Sequence, residues 1–97
     1  MADQDGEVVD NREEGRFELD TDVGLALLNY DRRDGLLYLI HTDVPPAAKG
    51  RGIGSRLVQQ VLDRARAQGV KIVPWCPFVR AYIDRHPEYR DLVARTT

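Results

Sequence analysis

The chain holds a single cysteine, Cys76, a single tryptophan and a single methionine in 97 residues. A lone cysteine excludes an internal disulfide framework and a cysteine-built zinc site, so no metal is expected and the fold must rest on apolar packing. No apolar run approaches the ~18 residues that span a bilayer. The opening "MADQDGEVVD" is acidic and lacks the apolar centre of a secretory signal. No membrane association is expected, and the expected compartment is the cytoplasm. A strong excess of one charge is also missing, the formal net charge being -2. A nucleic-acid-binding domain is usually basic overall and interleaves aromatic with basic residues; neither applies, so no nucleic-acid partner is expected. What is present, 42% hydrophobic and 31% charged residues, suits one globular domain. A chain of this size buries roughly 60–65% of its unfolded surface.

The small net charge hides an asymmetry. Residues 1–34 contain eleven acids and four bases; residues 35–97 contain five acids and ten bases. The basic part suits a locally held anionic ligand.

Residues 1–6 are small, acidic and without an apolar anchor, and are expected to be disordered, leaving 7–97 as the domain. "EVVDN", "RFEL" and "GLALLNYD" are strand candidates, and "RRDG" reads as a hairpin turn. "LLYLIHTDV", residues 36–44, is the strongest strand. Strict alternation puts Leu37, Leu39 and His41 on one face and Leu36, Tyr38, Ile40 and Val44 on the other, so a central strand covered on both faces is expected. Pro45 and Pro46 lack an amide hydrogen and stop the ladder. A helix over about 52–68 follows. Its apolar stripe is Ile53, Leu57, Val58, Val61, Leu62 and Ala65, and Gly69 stands at its C-terminal cap. "VKIVPW" is a further strand. Pro77 opens a shorter helix with Phe78, Val79, Tyr82 and Ile83 as its stripe, and Pro87 opens a last helical stretch in "HPEYRDLV".

Between the prolines and the long helix stand Gly50, Gly52 and Gly54, with Lys49, Arg51 and Arg56 around them. A helix start presents unpaired amide hydrogens and partial positive charge, which attract phosphate. Glycines there either let a ligand approach the backbone or only permit a tight turn. The nucleotide-hydrolase loop needs its lysine after the glycines, whereas Lys49 precedes them. The dinucleotide fingerprint needs a third glycine where Ser55 stands, and no further parallel strand–helix units follow.

The run Lys49-Gly50-Arg51-Gly52-Ile53-Gly54, at a strand-to-helix junction, resembles the acetyl-coenzyme A motif of the GNAT superfamily of N-acetyltransferases, Gln/Arg-x-x-Gly-x-Gly/Ala, with Lys49 at the first position. Together with "KIVPWCPFVRAYIDRHPEY", it is similar to the small, single-domain GNAT-like proteins of about a hundred residues, over residues 8–92. The resemblance implies an α/β fold of the α+β type. It has a mixed, mostly antiparallel sheet of about five strands and a long coenzyme-binding helix after the fourth. It implies acetyl-CoA as co-substrate, its pantetheine arm lying along Thr42, Asp43 and Val44 where the fourth and fifth strands splay. Further coenzyme contacts are implied at Lys49, Gly50, Arg51, Gly52, Ile53, Gly54, Ser55, Cys76 and Phe78.

The implied reaction is acetyl transfer to an amine, either a small molecule or a protein lysine. The chain has no room for the two helices that ordinary family members place between their first two strands, so an open acceptor site is expected. Three residues are candidates for chemistry. Cys76 precedes a proline-started helix, where a thiol tends toward its ionised, reactive form; it is either an acid or nucleophile at the thioester or a buried structural residue. His41 is either a general base or a hydrogen-bonded core histidine. Tyr82 is either an acid for the leaving thiolate or core packing. A non-catalytic CoA-binding sensor or interaction module is the alternative function.

Overall fold

The computed structural model describes residues 6–95. The expected disordered segment lies outside the described residues except for Gly6. Five strands follow the expected places: β1 (Val9–Asn11), β2 (Arg16–Thr21), β3 (Gly24–Arg33), β4 (Leu36–Asp43) and β5 (Lys71–Pro74). They form one sheet in the order β1-β2-β3-β4-β5, antiparallel except for the parallel β4–β5 pair. The β3–β4 hairpin turns at Asp34-Gly35, both at positive φ (53° and 77°), the turn geometry whose twist matches that of the flanking strands. The parallel pair needs a crossover. It is supplied by a 3-10 turn (Pro46–Ala48) and the helix α1 (Ile53–Gln68). A second helix, α2 (Pro77–Arg85), and a 3-10 turn (Pro87–Leu92) close the described chain. None of these helices is long and apolar enough to cross a membrane.

Alternation sends Phe17, Leu19, Ala26, Leu28, Leu37 and Leu39 to one face of the sheet, all buried. The expected stripe of α1 covers them: Leu57, Val58, Val61 and Leu62 have no solvent exposure. From α2 come Val79, Tyr82 and Ile83, and from the last turn Tyr89 and Leu92, all part of the same core. Phe17 and Tyr30 meet within it, ring centroids 4.7 Å apart. Fully burying an aliphatic side chain of this kind contributes about 1.5–3 kcal/mol, and this single apolar layer is the main source of stability.

The expectation of a strand covered on both faces is corrected. β4 is central, but α1, α2 and the last turn all share one core and lie on one side. Apart from the buried Val73, the side chains that alternate to the other face are half-buried or exposed, among them Leu25, Leu27, Tyr38 and Ile40. Among the described residues no helix covers this second face of the sheet, the helix-free face.

A second correction concerns His41. The β3–β4 register pairs Tyr30 with Leu39 and Asn29 with His41, which leaves Ile40 as one extra residue on β4. Such a bulge resets the side-chain alternation. His41 moves to the helix-free face with Tyr38, and Thr42, opposite the buried Leu28, turns to the helix-covered face.

Candidate active site

β5 pairs with β4 only from Leu36 to Leu39. The last backbone hydrogen bond across the pair is the Cys76 N–H donating to the Leu39 carbonyl at 2.9 Å. Beyond it β5 turns into α2 at Pro77, a residue suited to a first helical turn, whereas β4 runs on to Asp43. The strands fork, and residues 40–43 of β4 keep no strand partner on that side among the described residues. Pro45 and Pro46 then end β4, and the tight turn after them folds the chain back so that α1 starts beside the fork.

The result is a cavity of about 500 Å³ lined by His41, Thr42, Asp43, Val44, Ala48, Lys49, Gly50, Gly52, Ile53, Gly54, Ser55 and Phe78. This lies within the ~300–1,000 Å³ of small-molecule sites. One wall is the free end of β4, one the glycine loop, and one the first turn of α1, with the Phe78 ring from α2 beside it.

The glycines separate by role. Gly50 and Gly52 have φ of 83° and 77°, and a Cβ at either would meet nothing within 4 Å. The turn needs the left-handed conformation there, and the missing side chains also leave open space at the loop. Gly54 has ordinary helical geometry and is buried; a Cβ would stand 2.9 Å from Phe78 Cζ and 3.4 Å from Val44 Cγ2. Gly54 lines the cavity like the other two, and its bareness also seats the Phe78 ring. In turn Phe78, placed by its spacing in the buried stripe of α2, is 39% exposed and faces the cavity.

The helix start is open. Gly52 caps α1 with no side-chain hydrogen bond, and the first helical bond is Arg56 N–H to the Gly52 carbonyl, 3.0 Å. The amides of Ile53, Gly54 and Ser55 precede it and are left for another acceptor. No acidic side chain stands in that first turn, so the positive end of the helix is not neutralised from within. Lys49 lies on the rim. Arg51 does not line the cavity; it reaches Asp22 at 3.3 Å.

The three chemical candidates part company. His41 lines the cavity, from the face that the bulge gives it. Cys76 does not line it and is only 2% exposed. Its Sγ lies 3.3 Å from Thr42 Oγ1, so Thr42 stands at the wall with Cys76 behind it. Tyr82 is away from the cavity: its ring stacks on His86 at 4.0 Å and lies 6.0 Å from Tyr89. Burial pushes the Tyr82 phenol up, and the Asp63 and Glu88 carboxylates add to this. Its ring is buried in the core with the rest of the apolar stripe of α2. Ala48 is a lining residue that the motif does not mark; its buried position in the turn after Pro46 is the only signal for it. Among the described residues no group of three His, Cys, Asp or Glu side chains could hold a metal ion.

Residues 16–92 match the family model described as GCN5-related N-acetyl-transferase. The fold is similar to that of a GCN5-like protein from Staphylococcus aureus solved by NMR. The TM-score is 0.71 at 25% identity, covering 100% of this chain and 94% of that one. The matched region runs from β2 through the fork, the glycine loop and α1 to the last turn, which is the whole of the cavity and its frame. The chain belongs to the GCN5-related N-acetyltransferase family.

Proposed function

We propose that the protein transfers an acetyl group from acetyl-CoA to an amine, and that the forked cavity holds the pantetheine and pyrophosphate of the coenzyme. The observation that carries this reading is the convergence, in one cavity, of an unpaired strand end, two left-handed glycines opening onto free space, and an uncapped helix start. The residues fit the ligand. An extended amide-bearing arm can pair with the free edge of Thr42, Asp43 and Val44. An anion suits the amides of Ile53, Gly54 and Ser55. Lys49 adds charge at the rim, and the Phe78 ring gives the arm an apolar side.

In the transfer, the lone pair of a neutral amine attacks the thioester carbonyl. The N–C bond forms and the C–S bond breaks. The proton lost by nitrogen ends, directly or by relay, on the departing sulfur. His41, on the cavity wall and open to the helix-free face, is placed to take the proton as the amine enters from that side. Backbone amides of β4 polarise the carbonyl. Cys76 supports Thr42 from behind. A single free thiol also suits a reducing compartment such as the cytoplasm.

The test is release of free CoA from acetyl-CoA in the presence of a panel of amines, beside calorimetry of CoA binding. Turnover that needs an amine, and that falls at least tenfold in His41→Ala with CoA affinity kept, is the expected result. Tight CoA binding with no transfer to any amine would instead leave a coenzyme-binding module.

A further inference from the structure

The helix-free face of the sheet is unpartnered, and it meets the cavity at His41 and Asp43. Three features of this face describe what it accepts. First, it carries exposed apolar surface: Leu25 and Ile40 are each 39% exposed and Trp75 is 49% exposed. Scattered single residues mean little, but these three share one face with Tyr38 and Leu27, and Ile40 adjoins the cavity residue His41.

Second, it has an aromatic platform that takes a cation. Tyr38 and Trp75 meet edge to face with centroids 4.9 Å apart. The Arg33 guanidinium lies 5.3 Å from the Tyr38 centroid and 5.9 Å from that of Trp75. These are cation–π distances. Arg33 is itself exposed and holds Asp31 at 2.7 Å, so an incoming cation can displace it from the rings without leaving it unpaired.

Third, the charge is complementary to a cation. Residues 6–34, which build β1, β2 and β3, hold nine acids and four bases, whereas residues 35–95 hold five acids and ten bases. The coenzyme loop lies in the second part. On the helix-free face Glu18 is held by Arg16 at 2.7 Å and Asp31 by Arg33 at 2.7 Å, whereas Asp20 and Asp43 are exposed and give the face a surplus of negative charge.

Distance then separates a small amine from a polypeptide. Tyr38 precedes His41 by three residues on β4, about 10 Å at strand rise. Asp20, opposite Leu25, lies two strands over and four positions along, roughly 15 Å from His41 on the other side. A small amine at His41 reaches neither.

We propose that the acceptor is a lysine within a basic polypeptide segment. The segment lies extended across β3 and β4 on the helix-free face, its target amine entering the cavity past His41 and a flanking cation resting on Tyr38 and Trp75. This rests on the acetyl-transfer reading for the chemistry but not for the docking, which a binding measurement reads alone.

Trp75 is the only tryptophan, so its emission reports on the platform directly. The probe is a blocked seven-residue peptide with one central lysine, two arginines and two leucines. It is titrated without coenzyme beside the same peptide with glutamates for arginines, free lysine and spermidine. The basic peptide should change Trp75 emission saturably, and its affinity should fall with added salt. Asp20→Lys should weaken binding about three- to tenfold. Arg33→Gln, which frees the platform, should tighten it; neither residue touches the cavity. No saturable change with the basic peptide would overturn the proposal. So would equal response to the glutamate peptide or spermidine, insensitivity to both substitutions, or a dimer seen by sedimentation with Trp75 in its interface. Peptide binding without acetylation of its lysine, while a small amine is acetylated, would overturn the polypeptide acceptor; peptide binding with no transfer to any amine would keep the docking surface and remove the transfer reading instead.

Discussion

Gly52 and Gly69 offer a matched pair of perturbations. Both flank α1, Gly52 at its start with φ 77° and Gly69 at its end with φ 69°. A Cβ at either would meet nothing within 4 Å. Substitution by alanine therefore imposes the same backbone strain at both, about 1–2 kcal/mol for a left-handed non-glycine residue, with no steric clash at either. In a domain of this size each 1 kcal/mol lowers Tm by about 4–8 °C. Both variants should thus stay folded at room temperature with similar losses. They should differ in coenzyme binding. The Gly52 Cβ would project at the loop that lines the cavity, whereas Gly69 lies at the far end of a 16-residue helix, about 24 Å away at helical rise. CoA affinity measured by calorimetry should drop at least tenfold in Gly52→Ala, about 1.4 kcal/mol, and stay within twofold of the parent in Gly69→Ala. Equal affinities in the two variants, at equal Tm, would refute the assignment of this loop to the coenzyme.

Salt should weaken CoA binding, because exposed charges are screened within about 8 Å at physiological ionic strength; CoA should bind more tightly than pantetheine, and equal affinities flat in salt would contradict an anion cradle. Buried Cys76 should react with an alkylating reagent more slowly than a free thiol and speed up as denaturant is added, and Cys76→Ala should keep CoA affinity and most of any transfer. Fast alkylation slowed by CoA, or acetyl found on Cys76 by mass spectrometry, would return it to the chemistry. Tyr89→Phe removes the hydroxyl that donates to Asp63 at 2.7 Å and should cost about 0.5–1.5 kcal/mol, read as a fall in Tm. Burial, and for Tyr89 also the Asp63 hydrogen bond, pushes the Tyr82 and Tyr89 phenols above their ordinary value of 10.0. A phenol raised in the folded state contributes stability that is fully present below pH 10 and is lost as pH rises beyond it. Phenolate absorbance from these two residues should therefore lag that of free tyrosine and appear together with unfolding; their ordinary titration in the folded protein would oppose this.

Much of the frame was legible from local chemistry. Proline and glycine act on their own backbone, so the end of β4, the tight turn and both ends of α1 could be read from Pro45, Pro46, Gly52 and Gly69 alone. The apolar stripe of α1 depends only on a period of 3.6 residues, and every expected member is buried. The glycine loop was readable for the same reason: its turn and the helix start after it are set locally at one strand-to-helix junction, and the family match covers it. The three chemical candidates depend on more distant parts of the chain. The face of His41 follows from one extra residue at Ile40, which exists only as a mismatch with β3. The depth of Cys76 and Tyr82 depends on how α2 lies against the sheet, and spacing alone cannot tell a residue behind a wall from one on it. Gly54 reads like its neighbours, yet it also seats a ring from α2. The helix-free face is likewise a property of the assembly. Apolar residues on both sides of β4 say that both could be covered, but only the packing of α1, α2 and the last turn into one core decides that one side is left open.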